Sequence, residues 1–356
     1  MKNIKRIIQL GAITTSMMVA AAGCGSASNQ SKASSAAKGD AKDKELVFYS
    51  AEGFDQDIAA AFEKKTGIKV KLIDDSTGPL LAKMQAEKAN PQWDVAWFDG
   101  PSNMQGLDDQ GMLYKDYLPS GTAQYTDLGK KMLPKNHAYF PVTATASGAI
   151  AYNTKLVKAS ELPKDWPDLL KPKYKGQIAM NNPSISGPTY STVLGLMILQ
   201  GGIPQGKDFF TKLKANGLQV FDSNGPTLTN LSKGNVKFAI AQDSAIIDRM
   251  SKKEPINIIY PSSGVTTLTS NIGIDAKAPH LEAAKKFVDF ALSAEAIKIG
   301  TTIDGGDSNF ISLLQNAPAK QGIRPATVKW NEEDPVQGAQ HENDIKQWFT
   351  QNIVQK

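Results

Sequence analysis

The feature that most constrains this chain is an alternation of strands and helices that begins at Glu45. Residues 46–50 form an apolar run typical of a buried strand, residues 68–73 alternate as a second strand, and residues 94–98 form a third. Helical patterns occupy both intervals, and Gly67 is placed to end the first helix. This order predicts a doubly wound α/β sheet of mostly parallel strands, in which a ligand binds at the carboxyl ends of the strands.

The same scheme recurs in the middle of the chain and predicts a second lobe. An extended, hydroxyl-rich run at residues 142–150 leads out of the first sheet, and another at residues 266–274 leads back to it. A strongly amphipathic helix follows at residues 281–292. We therefore expect a ligand cleft between two α/β lobes. The predicted boundaries are 45–145 for lobe 1, 146–266 for lobe 2, 267–320 for the return to lobe 1 and 321–356 for a C-terminal helical segment.

Four Gly-Pro steps occur in this chain. Three of them open a predicted helix, and the fourth follows a predicted strand. With 29 Gly and 19 Pro in 356 residues, chance predicts about 1.5 such pairs. Proline favours the first helical turn whatever the function, so an ordinary helix start is an equal alternative at each step. A glycine beside a hydroxyl or amide cap also presents free N–H groups and the positive helix dipole to an anion. The steps are Gly78-Pro79, Gly100-Pro101, Gly187-Pro188 and Gly225-Pro226.

Side chains around these steps form the candidate binding site. Their hydroxyl and amide groups, with nearby backbone N–H groups, would hold a small anion whose other end is polar or cationic. Glu52 and Asp99 follow neighbouring strands and could hold an ammonium group. The alternative for both acids, a solvated rim or a helix cap, stays open. The candidates for the anionic end are Ser76, Thr77, Ser186, Gly187, Thr189 and Asn224.

The N-terminus has the composition of an export signal. Three basic residues precede an apolar run at residues 7–22, and Cys24, the only cysteine, follows Gly23. This segment resembles a bacterial lipobox, with Ala21 where leucine is usual, which implies cleavage and acylation of Cys24. An uncleaved anchor or a free thiol is the alternative. We expect a signal peptide at 1–23 and a lipid-anchored, flexible tether at 24–44.

Charge and missing motifs argue against other function classes. The leader contributes +3 and the tether +2 to the formal charge of +5, so residues 45–356 carry no net charge and do not favour nucleic-acid binding. His137, His280 and His341 lie in polar surroundings, and no Gly-x-Ser-x-Gly elbow occurs, so we expect no enzyme. No Walker sequence or metal-ligand spacing is present, so we also expect no cofactor.

Several segments together resemble the bacterial extracellular solute-binding proteins of ABC transporters. They are similar to the branch that holds ferric-iron, hexose-phosphate and 2-aminoethylphosphonate binding proteins, over residues 45–315. The resemblance implies a type 2 periplasmic-binding-protein fold, in which two lobes joined by crossing strands close on the ligand. The matching segments are the export signal with its lipobox, LVFYSAEG, AFEKKTGIKV, WDVAWFDG, AIAYNTKLV and EAAKKFVDFALSAEA.

The resemblance also bears on the ligand. Ferric members use a His, a Glu and two adjacent Tyr, and these positions fall here at Gly53, Asp99 and Ser244-Ala245. Only an acid remains of that set, and iron needs the anionic tyrosinates, so we expect no metal site. The loops that hold a synergistic anion in ferric members correspond to Ser186-Gly187 and Asn224, in agreement with the helix starts. Ser244, which follows the strand at residues 236–241, completes the candidate ligand-binding set.

These observations lead to one preferred function. We expect a monomeric lipoprotein, anchored on the extracytoplasmic face of the cell membrane, that binds a small organophosphorus anion such as 2-aminoethylphosphonate. It would deliver this solute to the permease and ATPase of an ABC importer. A hexose-phosphate or ferric-iron binding protein of the same family is the alternative, and an exported hydrolase is a distant one. The sequence leaves open the identity of the solute and its affinity.

Overall fold

Two β-sheets, each flanked by helices, form the fold of the computed structural model, which describes residues 44–317 and 319–355. The predicted α/β class with two lobes is confirmed. The predicted signal peptide, Cys24 and all of the tether except Lys44 lie outside the described residues. Among the residues that are described, no helix is both long and apolar enough to cross a membrane.

Lobe 1 is built from the first and last thirds of the described chain. Its strands are β1 (Glu45–Ser50), β2 (Lys69–Asp74), β3 (Val95–Asp99), β4 (Tyr139–Ala146), β10 (Val265–Ile274), β11 (Ile311–Ser312) and β12 (Trp330–Glu332). Its helices are α1 (Asp55–Thr66), α2 (Thr77–Ala86), α3 (Pro101–Asp109), α4 (Asp127–Met132), α9 (Leu281–Ala291) and α10 (Ala294–Thr302). The sheet order is β11-β4-β10-β3-β1-β2, and β12 pairs with β10.

Lobe 2 is built from the middle of the chain. Its strands are β5 (Ala149–Asn153), β6 (Ile178–Asn181), β7 (Gln219–Phe221), β8 (Phe238–Ala241) and β9 (Ile256–Ile259), in the order β7-β6-β8-β5-β9. Its helices are α5 (Gly187–Leu199), α6 (Ile203–Ala215), α7 (Asn224–Ser232) and α8 (Asp243–Ser251). A further helix, α11 (Pro335–Phe349), packs on α3 of lobe 1 and on α5 of lobe 2.

Parallel pairing brings the functional ends of the strands together. In lobe 1, β1 pairs in parallel with β2 and β3, so the turns at Ser50, Asp74 and Asp99 meet at one edge. In lobe 2, β6 pairs in parallel with β7 and β8 and places the starts of α5, α7 and α8 at one edge. The chain crosses between the lobes from β4 to β5 and from β9 to β10. These crossings lie within or beside the extended runs predicted at residues 142–150 and 266–274.

Each lobe has its own apolar core. In lobe 1, the amphipathic helix α9 buries the Phe287 ring, whose centroid lies 4.7 Å from Phe48 on β1 and 5.0 Å from Phe62 on α1. Helix α1 ends as predicted at Gly67, whose φ of 74° is the left-handed conformation that glycine adopts without strain. Burial of each such aromatic side chain stabilises the fold by roughly 1.5–3 kcal/mol. The cores therefore hold the strand ends of each lobe in place.

Candidate functional site

The starts of helices α2 and α5 touch each other across the two lobes. The backbone N–H of Gly78 donates to the carbonyl oxygen of Ile185 at 3.1 Å. A Cβ atom added to Gly187 would lie 2.8 Å from the Asp99 carbonyl oxygen and 2.8 Å from the Thr77 hydroxyl oxygen. A Cβ atom at either glycine would meet a backbone carbonyl oxygen of the other lobe, so a side chain there would push the lobes apart.

The other two Gly-Pro steps have different roles. Gly100 has a φ of +106° and turns the chain from β3 into α3, directly beside Asp99. Gly225 has no atom within 4 Å of the position that a Cβ would occupy. The expectation that Asn224 caps α7 is wrong, because the helix begins at Asn224 and its N-cap residue is Ser223. The excess of Gly-Pro steps therefore combines two lobe contacts, one turn and one ordinary helix start.

Asn224 belongs to an amide network that reaches across the cleft. Its side-chain oxygen accepts from the Asn181 amide at 2.7 Å, and its own amide donates to Gln242 at 3.3 Å. Gln242, the residue after β8, donates from Nε2 to Asp99 Oδ2 at 3.0 Å and to the Thr145 hydroxyl at 3.1 Å. Asn224 thus orients Gln242, and Gln242 connects lobe 2 to the Asp99 carboxylate.

The predicted hydroxyl groups occupy unequal environments. Ser186 and Thr189 are both buried at the start of α5, and the Thr189 hydroxyl donates to Ser186 Oγ at 3.0 Å. Thr77 is buried at the lobe contact, whereas Ser76 is exposed. Ser244 is fully buried in α8, and its hydroxyl has no hydrogen-bond partner within the described part of the chain.

Three carboxylates lie around the point where the lobes meet. Glu52 follows β1 and Asp99 ends β3, and the backbone bond from Ala51 N–H to the Trp97 carbonyl at 3.1 Å holds the two strand ends side by side. The third is Asp307, in the short turn after α10, whose Oδ2 accepts from the Gly53 N–H at 2.7 Å. Glu52 is 5% exposed, and its Oε1 has no partner among the atoms described.

Burial and mutual repulsion disturb the titration of these acids. Burial, with added repulsion from Asp99, Asp307 and Asp55, raises the pKa of Glu52 well above its ordinary value. Burial and the nearby Asp307 raise the pKa of Asp99 to about 7, although its bond from Gln242 lowers it. Burial also raises the pKa of Asp307, and the Gly53 N–H opposes that rise. Each acid therefore favours a nearby positive charge.

No positive side chain neutralises this cluster. Across residues 44–317 and 319–355, none of these three acids forms a salt bridge with Lys, Arg or His, and the buried Arg324 is paired with Asp243 instead. The same residues contain no group of three or more His, Cys, Asp or Glu arranged to hold a metal ion. The arrangement can receive an organic cation, which spreads its charge over several hydrogen bonds.

Comparison with known proteins identifies the family of this chain. Residues 57–329 match the family described as bacterial extracellular solute-binding protein. The chain belongs to this family. Its members are binding proteins, and relatives of this chain include periplasmic-binding components of ABC transporters. The resemblance noted in the sequence is thereby confirmed.

Individual members of the family differ in ligand. The chain is 26% identical over 242 residues to a putative 2-aminoethylphosphonate-binding periplasmic protein of Salmonella typhimurium, which covers 66% of this chain and 68% of the relative. It is 24% identical to spermidine/putrescine-binding periplasmic protein 1 of Haemophilus influenzae, with 74% and 75% covered. The fold matches the fructose-6-phosphate-bound protein AfuA from Actinobacillus pleuropneumoniae with a TM-score of 0.77, at 23% identity and with 88% and 99% covered.

Sequence reasoning missed Asp307 and Gln242. Gln242 directly follows β8, so the rule that ligands bind at the carboxyl ends of strands could have included it. Asp307 lies in a Gly-rich turn that follows a helix of lobe 1, far along the chain from Glu52. The packing of this turn against α10 of lobe 1 and α8 of lobe 2 brings it to the site. No local sequence signal identifies it.

Proposed function

We propose that this protein binds a small organophosphorus anion with a primary ammonium group, 2-aminoethylphosphonate or a close analogue, between its lobes. The observation that carries the proposal is the juxtaposition of Glu52, Asp99 and Asp307 with the starts of α2 and α5. We further propose that acylated Cys24 anchors the protein, as a monomer, on the extracytoplasmic face of the membrane. The protein is not an enzyme in this proposal, since it holds its solute unchanged for transport.

The ammonium end is supported by the carboxylates. A primary ammonium has three N–H donors, and the site offers the unpartnered oxygen of Glu52 beside Asp99 and Asp307. A cation inserted among them would offset the burial and the mutual repulsion that raise the pKa values of Glu52 and Asp99. The charge-assisted bonds that result are among the strongest that proteins form.

In this proposal, only neutral hydrogen-bond donors bind the anionic end of the ligand. Ser186 is the N-cap residue of α5 and Thr189 lies in its first turn, where the helix dipole is positive. Thr77 begins α2 on the opposite lobe and faces Gly187. A phosphonate held here needs no Lys or Arg, because backbone N–H groups and hydroxyls at a helix start bind phosphate oxygens directly.

A diamine or polyamine is a second candidate, and the absence of a basic side chain beside the acids favours it. Such a ligand would use the carboxylates and leave the hydroxyls at α5 without a role. Calorimetry with 2-aminoethylphosphonate, ethylphosphonate and putrescine separates the two candidates. The proposal expects 2-aminoethylphosphonate to bind at least tenfold more tightly than either single-ended compound, a difference of about 1.4 kcal/mol. Tighter binding of putrescine would overturn it in favour of the polyamine.

Substitution of Asp99 tests the orientation of the ligand. Asp99→Asn should weaken 2-aminoethylphosphonate about ten- to a hundredfold, since a hydrogen bond to a charged group is worth roughly 1.5–3 kcal/mol. The affinity for ethylphosphonate should change far less, because that ligand has no amine. The unfolding midpoint without ligand serves as the folding control. Equal losses of affinity for both ligands would contradict the assignment. They would favour a hexose phosphate, whose hydroxyl groups would donate hydrogen bonds to Asp99.

A further inference from the structure

A buried salt bridge joins the two lobes through Arg324, a residue between β11 and β12. Arg324 donates from Nε to Asp243 Oδ2 at 2.6 Å and from Nη2 to Asp243 Oδ1 at 2.8 Å. The same Nη2 atom donates to the backbone carbonyl oxygen of Asn309 at 2.6 Å. Asp243 begins α8 of lobe 2, and Asn309 precedes β11 of lobe 1. One guanidinium group therefore bonds to both lobes.

Asp243 is also attached to both segments that cross between the lobes. The backbone N–H of Ala146, at the end of β4, donates to Asp243 Oδ1 at 3.1 Å. The hydroxyl of Tyr260, directly after β9, donates to Asp243 Oδ2 at 3.0 Å. The Arg324 and Asp243 side chains are 7% and 0% exposed, and buried charge-assisted bonds with this two-pronged geometry are strong and directional. The salt bridge therefore lies beside the crossings about which the lobes would rotate.

The turn at residues 305–309 packs against α8 beside this salt bridge. The Asn309 side-chain amide donates to the Ser244 carbonyl oxygen at 3.2 Å, and a Cβ atom added to Gly306 would lie 3.0 Å from the Ala245 Cα atom. A second ion pair, between Lys252 and Asp304 at 3.4 Å, crosses the same junction. Its side chains are 43% and 89% exposed, so it should contribute little. The buried pair is the stronger constraint on this contact.

We propose that Arg324 is a positioning residue that latches α8 of lobe 2 to the turn at residues 305–309 of lobe 1 and so holds the lobes closed. Separation of α8 from this turn must break the bond to Asn309 or the pair with Asp243. A buried pair that loses one partner leaves an uncompensated charge, so this separation is unfavourable. The inference does not depend on which solute binds, because neither Arg324 nor Asp243 is among the residues proposed to hold it.

Amide hydrogen exchange of the ligand-free, full-length protein tests the latch at a different contact between the lobes. The Gly78 N–H donates across the lobes to the Ile185 carbonyl oxygen, so its exchange rate reports whether the lobes are closed. Arg324→Gln should make this amide exchange at least about tenfold faster. The Leu80 N–H donates to the Ser76 carbonyl oxygen within the first turn of α2 and should keep its wild-type rate.

Two further variants separate a latch from a general loss of stability. Lys252→Gln is the matched control, since it removes the exposed ion pair across the same junction and should leave both amides unchanged. Arg324→Gln combined with Asp243→Asn leaves no buried charge unpaired, yet the bridge between the lobes stays lost. The Gly78 amide should therefore still exchange rapidly in this double variant.

Faster exchange at Gly78 in both Arg324 variants, with the amide inside α2 and the Lys252→Gln protein unchanged, supports the proposal. A wild-type rate at Gly78 in Arg324→Gln would overturn it, because the lobes would then stay closed without the salt bridge. Equal acceleration inside α2 would overturn it by showing that Arg324 only stabilises the fold. Restored protection in the double variant would also do so, since an unpaired charge and not the lost bridge would then explain the opening.

Discussion

At the scale of single residues, the proposed ligand site contains three acids that form no salt bridge within residues 44–317 and 319–355. Glu52 and Asp99 follow adjacent strands, and Asp307 joins them from a distant turn. Their raised pKa values have one cause in common, which is burial next to other carboxyl groups. A site of this kind binds a cation more tightly as its acids lose their protons.

Asp307→Asn tests whether the unpredicted acid contributes to this site. Asparagine keeps an oxygen that can accept the Gly53 N–H, so the turn should retain its conformation. Loss of the charge should weaken 2-aminoethylphosphonate about tenfold or more in calorimetry. Asp304→Asn is the control, since Asp304 lies in the same loop with its side chain 89% exposed. An equal, small effect of both substitutions would remove Asp307 from the site.

At the scale of elements, the helix starts act as contact surfaces between lobes. Helices α2 and α5 meet through glycine backbones, which allows an approach that any side chain would prevent. The same contact places Thr77 opposite Gly187 and brings both next to Asp99. The contact between the lobes therefore lies directly beside the proposed site.

Gly187→Ala should weaken ligand binding by keeping the lobes apart. The new methyl group would lie 2.8 Å from the Asp99 carbonyl oxygen, a distance that real Cβ atoms essentially never show. Overpacking of this kind costs about 1–3 kcal/mol, which corresponds to roughly a five- to 150-fold loss of affinity. Gly225→Ala is the matched control, because Gly225 also precedes a proline at a helix start but has open space around it. Similar affinities for the two variants would contradict the lobe contact.

At the scale of the whole molecule, acids with raised pKa values make the stability of the folded protein depend on pH. The folded-state pKa of Asp99 is about 7, and its unfolded value is about 4. The folded protein therefore binds more protons than the unfolded chain between these values. The stability that Asp99 contributes is fully present below pH about 4 and is lost as the pH rises toward 7. Glu52, Asp307 and Glu333 act in the same direction.

We expect the unfolding midpoint of ligand-free protein to fall as the pH rises from 5 to 7. Asp99→Asn should reduce the slope of unfolding free energy against pH by up to about 1.4 kcal/mol per pH unit. Thermal unfolding in a buffer series measures both effects, with Asp304→Asn as the exposed control. A midpoint that rises over this range, or a slope that Asp99→Asn leaves unchanged, would contradict the cause given for the pKa shift.

The proposed anchor is a second property of the whole chain. Cys24→Ser removes the thiol that would be acylated, so the protein should appear in the medium or remain as an uncleaved precursor. Fractionation of cells with immunodetection measures the outcome, and the wild type should remain with membranes. Normal membrane retention of a cleaved Cys24→Ser protein would contradict lipid anchoring.

The fold could be predicted from the sequence, because it depends on patterns that repeat along the chain. Strand–helix alternation from Glu45 to Asp99 predicted parallel strands, and the apolar stripe of residues 281–292 predicted the helix that covers lobe 1. It also placed Glu52 and Asp99 at neighbouring strand ends, since parallel pairing follows from that order.

Which polar groups meet could not be predicted in this way, because it depends on contacts between distant segments. Asp307 comes from a turn whose position depends on its packing against α10 and α8. The sequence treated the four Gly-Pro steps alike, whereas contacts across the lobes distinguish Gly78 and Gly187 from Gly225. The physical reason is that helix and strand periods report local burial, while hydrogen bonds between distant segments depend on how whole lobes pack.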